Sequence, residues 1–334
     1  NAWVTHTPYE IRDAAMVDAR LAFKTNFAKQ KKNPSHTFHV KFKSKKAATD
    51  SIVIQAKKYT EDRKIHVEPW DGYELPPLKG YEPLPTKLGY TTRLQRTRWG
   101  EYYLCVLSPL DPPHDDSEYE NQGSDQNVMA LDPGMRTFMT GYGSDGKVME
   151  CGRQDINRIY RLCYAFDNLQ SRWSSDEVRH RRRYKMRRAG ARIHKKIRNL
   201  VDELHKKLVK WLVLNYRLVL LPRFETQDMV KKFDEFGDWR GRKIRSKTAR
   251  AMLTWSHYRF QQRLLNKTRE YTKCHVVICD EHYTSKTCGS CGYLHEKLGS
   301  NKTFHCPMCD VVLDRDMNAA RNILLRYMTL QSQK

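Results

Sequence analysis

Cys288-Gly-Ser-Cys291-Gly292, then Cys306-Pro-Met-Cys309, then Asp314-Arg-Asp-Met-Asn-Ala-Ala-Arg-Asn322 form the stretch whose reading decides the fold. Zinc takes four ligands in a tetrahedron, and one Cys-x-x-Cys turn can aim two thiolates at a single ion. Two such turns complete a site, Cys288, Cys291, Cys306 and Cys309. Sulfur at all four positions leaves no place open for chemistry. The zinc is therefore read as structural, stabilising a ribbon too small to have a core of its own. A redox dithiol needs one pair only. His295 and His305 lie beside a closed site and are read as ordinary polar residues.

The acidic half of the stretch leads into a final helix predicted over Asn318–Met328. Asp314 and Asp316 at its start suit an N-cap or a metal-binding carboxylate. Working back, Cys274–Cys279 is an apolar strand, and Glu281 follows it directly. Leu218-Val-Leu-Leu221 is another, stopped by Pro222, with Glu225 beyond. Val128-Met-Ala-Leu131 is a third. It ends on Asp132, and Pro133-Gly134 breaks it there. Long helices are expected over 155–216 and 246–271. Strands alternating with helices give an α/β domain. Carboxylates at the ends of buried strands face a cleft edge. Magnesium prefers such hard oxygens, and a pair of ions about 3.5–4 Å apart serves phosphodiester cleavage. Asp132 and the Asp314/Asp316 pair are candidates, with Glu225 or Glu281 as the third group.

Upstream, Tyr9–Lys32 reads as a helix with a small apolar face at Ile11, Ala15, Ala19 and Ala22. From His36 the period changes to two. Phe38, Val40 and Phe42 alternate with polar residues, and 51–55, 64–68 and 102–107 look like further strands. Residues 36–110 are thus a small β module interrupted by a Pro/Gly-rich loop. Residues 111–127 are polar and acidic and read as a linker.

Lysine plus arginine number 61 against 38 acidic residues, a net charge of +23. Such a charge repels itself unless a polyanion neutralises it, and nucleic acid is the expected polyanion. No long apolar run suggests a membrane partner. The nine cysteines are read as one metal site plus scattered reduced thiols rather than a disulfide framework. Two basic clusters stand out: Arg179, Arg181, Arg182, Arg183, Lys185, Arg187 and Arg188, then Arg240, Arg242, Lys243, Arg245 and Lys247. Both are expected to bind phosphates, and the first also reads as a nuclear import signal. A chain opening on Asn1 rather than Met is expected to be a piece of a longer protein.

Four segments carry a family resemblance. Leu131-Asp-Pro-Gly-Met-Arg-Thr-Phe138 is similar to a first RuvC motif, and Leu221-Pro-Arg-Phe-Glu-Thr226 to a variant second motif. Tyr283–Gly292 resembles the approach to a zinc ribbon, and Asp314–Asn322 a third RuvC motif. Together they resemble the TnpB family of RNA-guided nucleases, related to type V CRISPR effectors, and within it the eukaryotic Fanzor branch. The resemblance implies a RuvC (RNase H-like) nuclease domain at 128–283 and 313–334, with the zinc ribbon at 284–312 inserted. It implies a β-barrel wedge module at 36–110 and a helical recognition-lobe fragment at 1–35. Asp132 and Asp316 take the first and last catalytic positions, and Asp314 caps. Pro222 stands where typical bacterial members carry a glutamate. Glu281 is therefore preferred as the third carboxylate, and Glu225 is the lower-ranked alternative. Two magnesium ions, a noncoding guide RNA, target DNA, a monomeric ribonucleoprotein and the nucleus follow as expectations. The rival readings are a catalytically decayed nucleic-acid binder and a guide-independent resolvase or transposase.

Overall fold

The computed structural model describes residues 4, 6–40, 49–65, 77–97, 100–110, 127–230, 244–296, 298–299 and 301–332. The chain divides into two compact units, 1–110 and 111–334.

In the first unit, helix α1 (Tyr9–Lys32) carries Lys29, Lys31 and Lys32 in its last turn, where the helix dipole favours cations. It contains no buried residue; on the small apolar face read from the sequence, Ala15 and Ala19 are exposed and Ile11 and Ala22 half-buried. Strands β1 (Thr49–Ile54), β2 (Thr92–Thr97) and β3 (Tyr102–Cys105) form an antiparallel sheet in that order. Ile54, Tyr59 and Leu88 make its core. The expected closed barrel is not seen: the described residues form this one three-stranded sheet. Residues 36–40 are not in a strand, and Ile65 makes a single bridge to Tyr59. The stretch around Pro83 and Pro85 has no strand, as residues without an N–H cannot sustain a ladder. Residues 41–48 and 66–76 of the expected barrel, and 111–126 of the expected linker, lie outside the described residues.

The second unit is built on a five-stranded sheet. Its strands are β4 (Val128–Pro133), β5 (Met139–Gly143), β6 (Val148–Cys151), β7 (Leu218–Pro222) and β8 (His275–Cys279), in the order β6-β5-β4-β7-β8. The first three pair antiparallel; β4, β7 and β8 run parallel. Successive side chains of a strand alternate between faces. Met129, Leu131, Val219 and Leu221 therefore enter one core, while Ala130 and Leu220 enter another.

The larger core is covered by α2 (Asp155–Ser174), α3 (His180–Asn215), α5 (Ser246–Trp255) and α6 (His257–Lys267). A short helix α4 (Thr226–Val230) follows β7. The single helix expected over 155–216 is two, parted at 175–179, a polar stretch opening on Ser-Asp, residue types that favour turns over helix interiors. Gly190 lets the two pack closely, since a Cβ there would sit 2.6 Å from the Trp173 ring. The helix expected over 246–271 also divides, at Ser256 in the left-handed region (φ 54°). At the centre of this core Phe138 is stacked between His205 and His257, with centroids 4.8 and 4.9 Å away. Burial first, then the Arg263 charge for His205 and the His205 charge for His257, draw both imidazoles down to about 3.

The smaller face is closed by α7 (Arg315–Ser332), through Ile323 and Leu324. This helix is longer at both ends than the one read from the sequence. A two-stranded ribbon, β9 (Thr303–His305) and β10 (Val312–Asp314), immediately precedes it. No described helix is long and apolar enough to cross a membrane.

Candidate active site

Asp132 sits near the carboxyl end of β4 and alternates in phase with Val128 and Ala130, on the α7 face. Val277 and Cys279 of β8 lie on that face too, and Glu281 follows in the same phase two residues beyond the strand. Asp316 belongs to the first turn of α7, which packs against that face. Three separate elements thus deliver carboxylates to one end of the sheet. The carboxyl ends of parallel strands are the usual site of chemistry in open α/β sheets.

The three carboxylates are not drawn together as a ready metal cage, but the charges of the other two act on Asp132. The Asp132 carboxyl is held well above the ordinary range, first by desolvation and then by the negative charges of Asp316 and Glu281; Arg315 opposes this. Asp316 is raised by desolvation and by Asp314, against Lys302 and Arg315. Glu281 is raised by burial. Like charges around one cleft disfavour joint ionisation, and a divalent cation is the natural counterweight. All the donors are hard carboxylate oxygens, which fit magnesium.

Glu225 is placed differently. It is exposed ahead of α4 and gives its carbonyl to the Asp228 and Met229 N–H groups. It is not among the charges acting on Asp132. Leu220 pairs with Ala130; carried two residues further, that register sets Pro222 alongside Asp132, so an apolar ring occupies the intervening strand end. Asp314 is the cap of α7. Its Oδ1 accepts the backbone N–H groups of Asp316 (3.0 Å) and Met317 (3.2 Å), and its Oδ2 is 3.4 Å from Lys302 Nζ.

The four cysteines of the ribbon have their sulfurs all within 4.8 Å of one another, and no other group among the described residues reaches that spacing. Cys288 and Cys309 are 3.7 Å apart, Cys291 and Cys306 3.5 Å. A tetrahedron with Zn–S bonds of about 2.3 Å has edges of about 3.8 Å, so the cluster has the dimensions of a structural zinc site. Burial would raise the Cys306 thiol. The backbone N–H groups of Cys309 and Met308, with the neighbouring thiols, outweigh it and bring it down to about 7.

Sequence reasoning missed how ribbon and helix are joined. Asn318 takes the Gly289 N–H (2.9 Å) and donates to the Thr287 carbonyl (2.7 Å). Asn322 donates to the carbonyls of Thr284 (2.8 Å) and Thr287 (2.7 Å), and Arg321 to that of Gly289 (2.6 Å). Positions 318, 321 and 322 lie on one helical face. Gly289 must be glycine here, because a Cβ would sit 2.8 Å from Asn318 Oδ1 and 3.0 Å from Arg321 Nη1. The available signal was two asparagines, buried in the structure, inside an otherwise apolar helix face.

Of the basic residues, Arg181, Arg182, Lys185, Arg187 and Arg188 lie exposed on α3. Arg179 is its N-cap residue, and Arg183 turns back to the Ser175 carbonyl at 2.9 Å. Arg245 and Lys247 are exposed at the start of α5; Arg240, Arg242 and Lys243 lie outside the described residues.

Two family models match the chain: "Probable transposase" (OrfB_IS605) over residues 106–232, and "Cas12f1-like, TNB domain" over 257–323. The "Putative transposase A625R" of Paramecium bursaria Chlorella virus 1 is 30% identical over 333 residues, 99% of this chain and 72% of that protein. The chain belongs to the TnpB (OrfB_IS605) family. The "Putative RNA-guided DNA endonuclease" of Streptomyces pristinaespiralis is 24% identical over 93% of this chain and 69% of its own length. Among solved structures, a CRISPR-Cas12f ternary complex aligns with a TM-score of 0.43 and 15% identity, over 70% of this chain and 45% of that one. In this TnpB-family chain the first model spans β4 to β7 and the second spans β8, the ribbon and the first half of α7, so the three carboxylates fall under two different models.

Proposed function

We propose that this chain is the nuclease-bearing part of an RNA-guided DNA endonuclease of the Fanzor branch, and that its second unit is a RuvC-like domain with an RNase H-type core. The observation that carries the reading is the delivery of three carboxylates to one end of the sheet, around Asp132. Two other carboxylates, from a different strand end and from the α7 start, press on it at the carboxyl end of the sheet. The sheet supports it, with three antiparallel strands followed by two parallel ones. So does the similarity to a protein described as an RNA-guided DNA endonuclease. The net charge of +23 calls for a polyanionic partner. In the proposed complex a noncoding guide RNA pairs with target DNA, and pairing rather than protein contact reads sequence. The nucleus is the proposed compartment.

Asp132, Glu281 and Asp316 would hold two magnesium ions. When bound, these ions supply Lewis-acid stabilisation of the phosphodiester oxygens and an activated water. The protein's own part is arrangement. Pro133-Gly134 ends β4 so that Asp132 stands at the cleft. Asp314 locks the first turn of α7 so that Asp316 is presented at a fixed angle. The Asn318–Arg321–Asn322 clamp ties that helix to the zinc ribbon.

The test is cleavage of a target plasmid with guide RNA and magnesium. Wild type should cut; Asp132→Ala, Asp316→Ala and Glu281→Ala should not, each losing more than the about 10–100-fold that follows loss of an outer-shell partner. Glu225→Ala should cut normally, and the opposite result for Glu225 and Glu281 would reassign the third carboxylate. Pro222 beside Asp132 motivates the rival of a decayed nuclease, which binding without cutting by wild type would establish. Cutting that survives complete removal of RNA would replace the guided reading with a resolvase or transposase.

A further inference from the structure

Asp132 stands at the head of a tight loop. The Gly134 N–H donates to the Phe138 carbonyl at 3.2 Å, and the Phe138 N–H to that of Cys151 at 3.0 Å. A Cβ on Gly134 would sit 2.5 Å from the Thr137 carbonyl oxygen, so the closure needs glycine. Two consecutive helices grip this loop from the larger core. They meet at Ser256, whose left-handed backbone (φ 54°) bends α5 into α6. The residue on each side of the bend reaches the loop. Trp255 Nε1 donates to the Met135 carbonyl at 2.9 Å. His257 stacks on Phe138 with ring centroids 4.9 Å apart, and the Gly134 carbonyl acts on its imidazole.

Packing alone does not call for a histidine here. Both His257 nitrogens are buried, and neither completes a hydrogen bond in the structure. Such a group costs stability in a core, where an apolar ring of the same shape would not. The same ring also meets a second strand end. It lies 4.7 Å from the Phe224 ring, edge-on, two residues past β7. The adjoining Arg223 N–H donates to the Cys279 carbonyl at 3.0 Å, two residues before Glu281. His257 thus touches the segments that leave β4 and β7, and Arg223 carries the connection to the end of β8. His205 supplies the contrast. It is also buried and stacks on Phe138, at 4.8 Å, but the carbonyl it meets belongs to Trp255, within helix α5.

We propose that His257 is a positioning residue: its imidazole N–H engages the Gly134 carbonyl and holds the turn that presents Asp132 to a divalent cation. Hydrogen bonds of this kind are often loose in a free enzyme and tighten in the working complex. Trp255 anchors the next carbonyl of the same turn, so the elbow fixes two successive peptide groups behind the carboxylate. It does so from the larger core, touching neither metal nor substrate. This role rests on the nuclease reading for the use made of Asp132, but the loop itself is tested without cutting.

His257→Phe keeps a ring between Phe138 and Phe224 and removes the N–H. His205→Phe makes the same change where no loop is held. Both variants should melt at or above the wild-type temperature. In magnesium-free buffer, amide hydrogen exchange over residues 134–138 should quicken in His257→Phe alone. Magnesium affinity, read from the thermal shift on titration, should fall about tenfold in that variant, the lower end of the about 10–100-fold that follows loss of an outer-shell partner. In guided cleavage kcat should fall with it while KM for the target stays. Equal behaviour of the two variants in exchange and in magnesium affinity would overturn the proposal. A measurement on the unaltered chain guards against a variant that fails to fold. With 15N-histidine labelling, the His257 N–H signal should shift and exchange more slowly as magnesium binds, and the His205 signal should not. A His257 signal that ignores bound magnesium would overturn the proposal too. If wild type binds magnesium no better than Asp132→Asn, the functional reading falls, while exchange over 134–138 still decides whether His257 holds the loop.

Discussion

Met129, Leu131, Val219 and Leu221 point from the central sheet into a core of 21 buried residues, while their neighbours Ala130 and Leu220 on the other face join a buried cluster of four. The first face is held by apolar area, at roughly 25 cal/mol per Å². Even its two histidines are kept neutral and stacked on Phe138. The second face has little such area, so α7 is fixed by other means: a cap from Asp314, hydrogen bonds from two buried asparagines, and the ribbon they grip. A thin core leaves room at the sheet edge for carboxylates that a thick one would neutralise. The comparison teaches that stability and proposed chemistry are assigned to opposite faces of one sheet, and it can be broken.

The largest effect expected is from the metal of the ribbon. Structural zinc contributes about 10–16 kcal/mol of binding free energy in zinc-finger peptides. Cys306→Ser with Cys309→Ser should therefore unfold the ribbon, read as hydrogen exchange and proteolysis confined to residues 284–312. Strands β4 to β8 should stay protected. Melting of the whole chain in one step would show that the two faces are not separable.

Next is Phe138→Ala on the thick face. Phe138 is fully buried among His205, Trp255, His257 and Phe260, and removing such a ring costs about 3–5 kcal/mol. The denaturant midpoint of the sheet should fall while the ribbon keeps its zinc, the converse of the first result. A ribbon that loses metal in this variant would contradict the division.

These two cases also mark what could be read from the sequence. The cysteine turns and the β4 strand with its terminal Asp132 are short-range patterns: two spacings, and an apolar run broken by Pro-Gly. They were legible. The strand Thr92–Thr97 was not, because its Thr-Arg-Leu-Gln-Arg-Thr has almost no apolar alternation. Nor was the break at Ser256, which depends on one residue entering the left-handed region. Glu225 and Glu281 remained alternatives because deciding between them needs the phase of β8 against β4 across the intervening β7. That relation is fixed by pairing residues about ninety positions apart, for example Val128 with Leu218. The Asn318, Arg321 and Asn322 clamp escaped because its partners are backbone groups of another segment.

A smaller effect is expected at that clamp. Asn322→Ala leaves the carbonyls of Thr284 and Thr287 without their donor, and a buried polar group deprived of its partner costs about 1–3 kcal/mol. The loss should appear in the denaturant midpoint and as faster zinc release to a chelator. Faster release with an unchanged midpoint would place the clamp in the ribbon's kinetics alone. Neither change would mean that the thin face does not depend on it.

The smallest effect is a gain, and its sign is the sharpest test. A carboxyl whose pKa is raised on folding keeps a proton that the unfolded chain has given up, so its contribution declines as pH rises from the unfolded value of about 3.9 toward the folded one. Asp132 is such a group, raised by desolvation and by Asp316 and Glu281. His205 and His257, drawn down to about 3, act oppositely: the stability of their neutral state is complete above about 6.5 and is lost as pH falls toward 3. Asp132→Asn removes the first dependence and leaves the second. In magnesium-free buffer its melting temperature should match wild type near pH 4 and exceed it increasingly toward pH 8. Added magnesium should stabilise wild type and narrow or reverse the gap, because binding to the folded state alone raises stability. A variant less stable than wild type at pH 8 without magnesium would mean that Asp132 is held by compensating partners, and that the thin face is not under the electrostatic strain that prepares it for a metal.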